Sequence, residues 1–521
     1  MCGAVRTALD SGIGIGGVGG RALSVPVPTV VGMGGQTVRW TAEQISALAP
    51  DAASRKAGSK LSTARPWSAT GTDGSAVWGL CKGSGSRPYQ TVVDLDGGQG
   101  PGYKCSCPSR KFPCKHALGL LLLWAQEPQA VPDTAEEPPE WAGAWLESRS
   151  RRAARKAEAA REAAEAGAGG AASGRAEDGA GARGEAPGGA DGARAEAARR
   201  RARQRAERMA AGAEELEQRL ADVLRGGLAD ADRAGYAPWE ETAARMVDAQ
   251  APGLAARVRE LGSVPASGEG WPERLLAECA LLHLLARAYR RIDTLPEAQA
   301  RTVESRVGRT VEAADVLADD SARIRDGWLV LAQRDAEEGR LLVRRIWLYG
   351  QRTGRPALLL SYGAAGRAPE QALPVGATLD AELAYYPGAG PLRAALGKRH
   401  GAPVPGFRPP GGTIPEALDA YGQALAQDPW LEGWPVVLRE VAPVPPLADR
   451  DGTGTTDAQW QLASADGDFA LPVAPWCAPA TLWKLTALSA EGPLTVFGEC
   501  GHRGFTPHTA WTGSTTTAVP L

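Results

Sequence analysis

Four side chains within twelve positions carry the chemistry of this sequence. Cys105, Cys107, Cys114 and His116 stand in the run YKCSCPSRKFPCKH as C-x-C, a six-residue gap, and C-x-H. Thiolate sulfur and imidazole nitrogen are the ligands Zn2+ prefers, and three cysteines with one histidine complete a tetrahedron with no position left for water. A closed shell is structural rather than catalytic. Residues two apart on a strand share a face, and Pro108 and Pro113 help the gap turn so that the second pair comes opposite the first. Ligating thiols must lose their protons, so the metal ties folding to pH and chelators, with roughly 10 kcal/mol or more at stake in isolated fingers.

The flanking sequence supplies elements to hold these residues. Thr41 caps a short helix with Gln44 as its reciprocal partner, Ile45 and Leu48 give it an apolar stripe, and Pro50 ends it. Two β-prone runs, Ala76 to Leu80 and Tyr89 to Leu95, are separated by Gly83, Ser84, Gly85 and Pro88 and read as a hairpin. His116 opens a leucine-rich helix, Ala117 to Trp124, apolar nearly all round and therefore buried.

The cysteine and histidine pairs, the following apolar helix, and Trp78-Gly79, Cys81, Gly83-Ser84-Gly85 and Pro88-Tyr89 resemble the bacterial SWIM-type zinc finger family over roughly residues 38 to 125. The resemblance implies a ββα metal module with zinc on Cys105, Cys107, Cys114 and His116, and a role in binding DNA or other proteins. It also implies a long C-terminal part and, in some members, a neighbouring MoxR-type ATPase. Lys104, Arg110, Lys111 and Lys115 surround the ligands as candidate phosphate contacts, with Phe112 and Tyr103 available to stack on bases. Eleven basic and six acidic residues from Met33 to Glu127 leave a net of plus five, while zinc with three thiolates is formally minus one. The alternative is local charge balance about the metal.

The rest of the 521 residues is less diagnostic. Glycine and proline make up 104 positions, so order is expected to be uneven. Residues 1–37 read as disordered or as an over-called start, with Met33 a better beginning. Residues 147–208 read as an Ala/Gly/Arg/Glu linker whose flanks are helix-forming but lack a wide apolar stripe; from Arg149 to Arg208, fifteen basic against nine acidic side chains give about plus six, enough to lie against a polyanion.

Helical periodicity then marks a region 209–325: Glu214 to Leu228, Thr242 to Leu261 with a break at Pro252-Gly253, and Trp271 to Arg290. Leu275, Leu276, Cys279, Leu282, Ala286 and Tyr289 form the core face of the last. A β-rich region 326–521 follows, with a meander of Gly327 to Gln333, Leu341 to Tyr349 and Ala357 to Tyr362, and later strands at Gln459 to Leu462, Leu482 to Leu488 and Leu494 to Phe497. Helices followed by strands place the chain in the α+β class.

Weaker candidates resolve toward structure. Cys81 reads as a small buried hydrophobe beside the site, the GSGS segment as a turn lacking a phosphate-loop pattern, and His283 as a core histidine. Cys477, Cys500, His502 and His508 are spread too widely for a convincing second metal site. Trp328, Trp347, Trp430, Trp434, Trp460, Trp476 and Trp483 are read as core.

A net charge of −2 excludes a uniformly basic coat. Scattered cysteines, with neither a secretory signal nor an apolar run near eighteen residues, point to the cytoplasm. The sequence carries no nucleophile elbow, Walker motif or Ser-His-Asp order. The leading expectation is a non-enzymatic zinc-finger adaptor that binds DNA or a protein; the alternative is an enzyme housed in the C-terminal region with a purely structural finger.

Overall fold

Short β-prone runs around the cysteines build a four-stranded antiparallel sheet in the order β1 (Trp67–Thr72), β2 (Ala76–Cys81), β3 (Tyr89–Asp94) and β4 (Gly102–Cys105). The computed structural model describes residues 39–50, 52–83, 87–95, 101–109, 111, 113–134, 138–152, 155, 188–228, 231, 235–338, 341–364, 369, 371–446 and 459–521. The expected hairpin is β2–β3, its turn at 84–86 lying outside the described residues. β1, which the sequence reading missed, and β4 widen the implied ββα module into a full sheet.

Helix α1 (Ala42–Ala47) carries the expected reciprocal capping box between Thr41 and Gln44. With α2 (Ala52–Ser59) it covers α3 (Lys115–Gln126), whose residues from His116 to Trp124 are all buried. Two glycines set the α2–α3 approach: a Cβ on Gly119 would sit 2.6 Å from Leu61 Cβ, and one on Gly58 2.7 Å from Leu118 Cβ.

The long helix α4 (Gly188–Gly226) begins inside the segment read as linker, of which 153–154 and 156–187 lie outside the described residues; 140–152 are helical as well. From Met209 onward α4 buries Met209, Ala213, Leu216 and Leu220 at steps of three and four. It packs with α5 (Ala237–Asp248), α6 (Pro252–Leu261), α7 (Trp271–Arg290) and α8 (Glu297–Val307) around one core. Pro252 in the first turn of α6 is the expected break. The core face of α7 includes Leu285 in place of Leu276, which is 49% exposed. His283 is half-buried at a surface groove rather than in the core.

Beyond a short helix α9 (Ala313–Ala318), the expected meander forms as β5 (Arg323–Glu338), β6 (Leu341–Gly350) and β7 (Pro356–Ala364). With β8 (Ala377–Tyr385), β9 (Ala394–Arg399) and β10 (Val404–Pro405) it makes a six-stranded sheet. After α10 (Ile414–Gln427), a second six-stranded sheet runs β13-β12-β11-β14-β15-β16, formed by β11 (Gly433–Val444), β12 (Gln461–Ser464), β13 (Ala470–Pro472), β14 (Leu494–Gly501), β15 (Gly504–Thr512) and β16 (Val519–Pro520). Trp328, Trp347, Phe497 and Trp511 share one core between the two sheets. The fold is α+β.

The expected strand Leu482 to Leu488 is instead helix α11 (Pro479–Leu488). Pro479 is set for a first helical turn, and the three-residue step from Leu482 to Leu485 buries both on one side. Trp328, Trp347 and Trp430 are core, and Trp434 and Trp460 are partly buried, but Trp476 and Trp483 are 58% and 59% exposed. Trp483 packs edge-on against Trp460, with ring centres 5.2 Å apart.

Asp326 anchors the turn after β6. Its buried carboxylate accepts from the backbone N–H groups of Gly327 at 2.7 Å, Arg352 at 3.0 Å and Thr353 at 2.9 Å. Burial alone would raise its pKa, but the Thr353 hydroxyl and these backbone donors together outweigh burial and hold it below the ordinary carboxylate value. A depressed folded pKa gives stability that is present above the unfolded value, about 3.9, and is lost as pH falls through the folded one. Asp326→Ala should therefore cost about 2 kcal/mol at neutral pH. The deficit should narrow as pH drops below about 4, as urea titrations of both proteins would show.

Candidate metal centre

Cys105 ends β4, Cys107 lies in the bend beyond it, Cys114 is the N-cap of α3, and His116 sits in that helix's first turn. The two members of the first pair therefore do not share a strand face, as the spacing suggested. The chain turns at Ser106 instead, whose N–H donates to the Gln90 carbonyl at 3.0 Å while its hydroxyl accepts from the Gln90 N–H at 3.0 Å. This clasp ties the bend to β3 and aims Cys107 back at the cluster.

The four ligand atoms all lie within 4.8 Å of one another. A zinc tetrahedron with Zn–S bonds of about 2.3 Å has edges just under 4 Å, so small movements seat the ion. His116 is buried and faces the cluster with Nδ1, 3.6 Å from Cys105 Sγ, while the Tyr89 ring lies against its imidazole at 4.8 Å between centres. Among the described residues this is the one group of three or more Cys, His, Asp or Glu ligands so gathered.

The protonation chemistry fits a dication. A hydrogen bond from the Cys114 thiol lowers Cys105 to about 3, His116 and Thr91 assisting against the opposing effect of burial. The same hydrogen bond, with burial, drives Cys114 far up, and burial raises Cys107. Protein groups alone thus favour one thiolate, and a Zn2+ at the centre supplies the charge that three require. Cys105, Cys107, Cys114 and His116 would hold the ion, which would supply structure, since no ligand position is left for substrate.

Thr91 belongs to the site although no motif points to it. It lies opposite Cys105 in the β3–β4 register, is fully buried, and places Oγ1 3.3 Å from Cys105 Sγ, where its hydroxyl donates to the thiolate. Only the strand pairing reveals it. Thr91→Val keeps the shape and removes the donor, so zinc affinity should fall 10- to 100-fold, by order of magnitude, in competition with a chromophoric chelator; Thr91→Ser should restore it.

Lys104, Lys111 and Lys115 are exposed around the cluster. Arg110 and Phe112 lie outside the described residues. Tyr103 does not offer a free stacking face: its hydroxyl is buried, and burial raises its pKa, with Arg344 and Arg149 working against the rise. Cys81 is fully buried on β2 and stands outside the four-ligand group, its thiol pushed up to about 11 by burial and, next, by Cys105.

As their wide spacing suggested, Cys477, Cys500, His502 and His508 do not gather into a ligand group among the described residues. Cys500 is buried, His502 is exposed in a turn, and His508 stacks on Trp347 at 4.9 Å with Nε2 3.3 Å from Glu499.

The SWIM zinc finger family model matches residues 89–125, and that of the SWIM-associated four-helix bundle domain matches residues 204–307. The first match spans β3 to the end of α3 and contains all four ligands; the second runs from within α4 to the end of α8. No curated protein and no solved structure matches the chain. A zinc-binding cluster inside one matched segment and a helical bundle filling the other make this a SWIM-type zinc finger protein.

Proposed function

We propose that the chain is a non-enzymatic, zinc-stabilised adaptor, acting in the cytoplasm, whose finger binds DNA or a protein partner. One observation carries this reading: a closed three-sulfur, one-nitrogen shell with Lys104, Lys111 and Lys115 exposed around it. A saturated metal has no site for substrate, whereas a rigid basic face has a use in docking. The seven described cysteines are all free, as suits a reducing compartment, and no described helix is long and apolar enough to cross a membrane. A MoxR-type ATPase is one protein partner that the resemblance implies.

The test is capture of the tagged full chain with its partners from native extract, with and without nuclease, beside Lys104→Gln/Lys111→Gln/Lys115→Gln. Nuclease-sensitive recovery lost in the variant supports a DNA partner; nuclease-resistant recovery lost in the variant supports a protein. Recovery unchanged by the substitutions overturns the finger's role.

A further inference from the structure

A groove of about 770 Å³ runs between α4 and α7. Its charges are unevenly matched. Arg290 is engaged by Glu214 and Glu217, and Arg225 by Asp222 at 2.7 Å. His283, Arg287 and Arg291 have no side-chain hydrogen bond or ion pair among the described residues, although all three line the same groove. They follow at one-turn steps along α7, spanning about 12 Å, a rise over which one strand of B-DNA carries three or four phosphates.

α4 continues beyond the groove toward its N-terminus, and the Tyr289 hydroxyl of α7 reaches it at Met209, next to Arg208, at 3.7 Å. From Glu196 to Arg208, α4 carries six arginines against two glutamates, and every described side chain is exposed except Arg205, which is half-buried. Among the described residues, only Arg203 is ion-paired there, with Glu207. This stretch of helix buries no apolar face and gathers like charges one turn apart, both unfavourable for a helix by itself. A polyanion lying along it would relieve both. An acidic protein would also supply charge, but protein interfaces centre on apolar and aromatic contacts, and this arginine and alanine stretch of α4 offers none; phosphates need only cations.

We propose that the arginine face of α4 between Arg199 and Arg208, together with His283, Arg287 and Arg291 in the adjoining groove, is a docking surface for the phosphodiester backbone of nucleic acid. The surface belongs to the bundle, is separate from the finger, and does not depend on the finger's partner.

The experiment measures binding of the zinc-loaded full chain to a fluorescent DNA duplex by anisotropy, between about 50 and 200 mM salt. Three variants are compared: Arg201→Gln/Arg287→Gln/Arg291→Gln, the same three changed to Lys, and Lys104→Gln/Lys111→Gln/Lys115→Gln in the finger. Arg205 and Arg290 are left in place because they are packed or paired. The glutamine variant of the bundle should lose at least about tenfold in affinity and about one unit of log–log salt slope per phosphate contact removed. The lysine replacements should restore most of both, which separates lost charge from lost fold.

The inference is overturned if the duplex does not bind at low salt, or if the bundle variant binds as wild type does. It is also overturned if poly-glutamate displaces the duplex at equal charge concentration, which would assign the surface to an acidic protein. Binding lost only in the finger variant would overturn it while leaving the proposed function intact.

Discussion

Removing zinc from the full chain is expected to abolish the tertiary structure of the module that spans β1–β4 and α1–α3, with a loss on the order of 10 kcal/mol. The ion takes the place of charge compensation that the protein cannot supply, because the hydrogen bond to a Cys105 thiolate forces Cys114 upward and burial, aided by Cys105, raises Cys107. Without it, the bend at Cys107 and the first turn of α3 lose the link that joins them. Cys114→Ser should behave alike, since it removes a ligand from the N-cap of α3. The expected record is loss of the near-ultraviolet signal of Trp40, Trp67, Trp78 and Trp124, with the far-ultraviolet helical signal of α4–α8 retained. Identical near-ultraviolet spectra and melting curves before and after chelation would show that the cluster is no folding centre.

Trp124→Ala should cost about 3–5 kcal/mol, the range for emptying a large aromatic site. Trp124 is fully buried at the far end of the helix that carries His116, with Trp40 edge-on at 6.1 Å and the Arg39 guanidinium 5.7 Å above its ring. The indole fills the space between α3 and the chain leading into α1, and alanine leaves a cavity that buried neighbours cannot close. Trp483→Ala, at an exposed site, should cost under about 1 kcal/mol. Urea unfolding followed at the module's tryptophans separates the two, and equal losses would contradict the packing described here.

What could be read from the sequence was what short-range chemistry controls. The four ligands were legible because ligand type and spacing are local, and α3 because an apolar run of that density has no exposed face to offer. α7 was legible over its full length from its periodicity and Pro272. Strand pairing was less accessible: β1 has a weak pattern, WSATGT, and Thr91 joins the metal centre only through its register with Cys105. α10 was missed although its signal was present, since Thr413 and Glu416 form a capping box around Pro415. α11 was mistaken for a strand because its apolar residues suit either period, and only its packing against β11 decides between them. Trp476 and Trp483 were placed in the core on residue type alone, which does not reveal which side of a helix or loop meets the sheet.

The amino-terminal sheet does not end at its own core. Arg399, at the end of β9, donates to the Leu95 carbonyl at 3.4 Å across 304 positions of sequence, and Ala372 is buried among the residues that pack around α3. The polypeptide is therefore a closed circuit, clasped where its first sheet meets its middle one, with the helical bundle carried on the excursion between. Unfolding of the finger would therefore uncover Ala372 and take the Leu95 acceptor from Arg399, two losses that fall on the β-rich body.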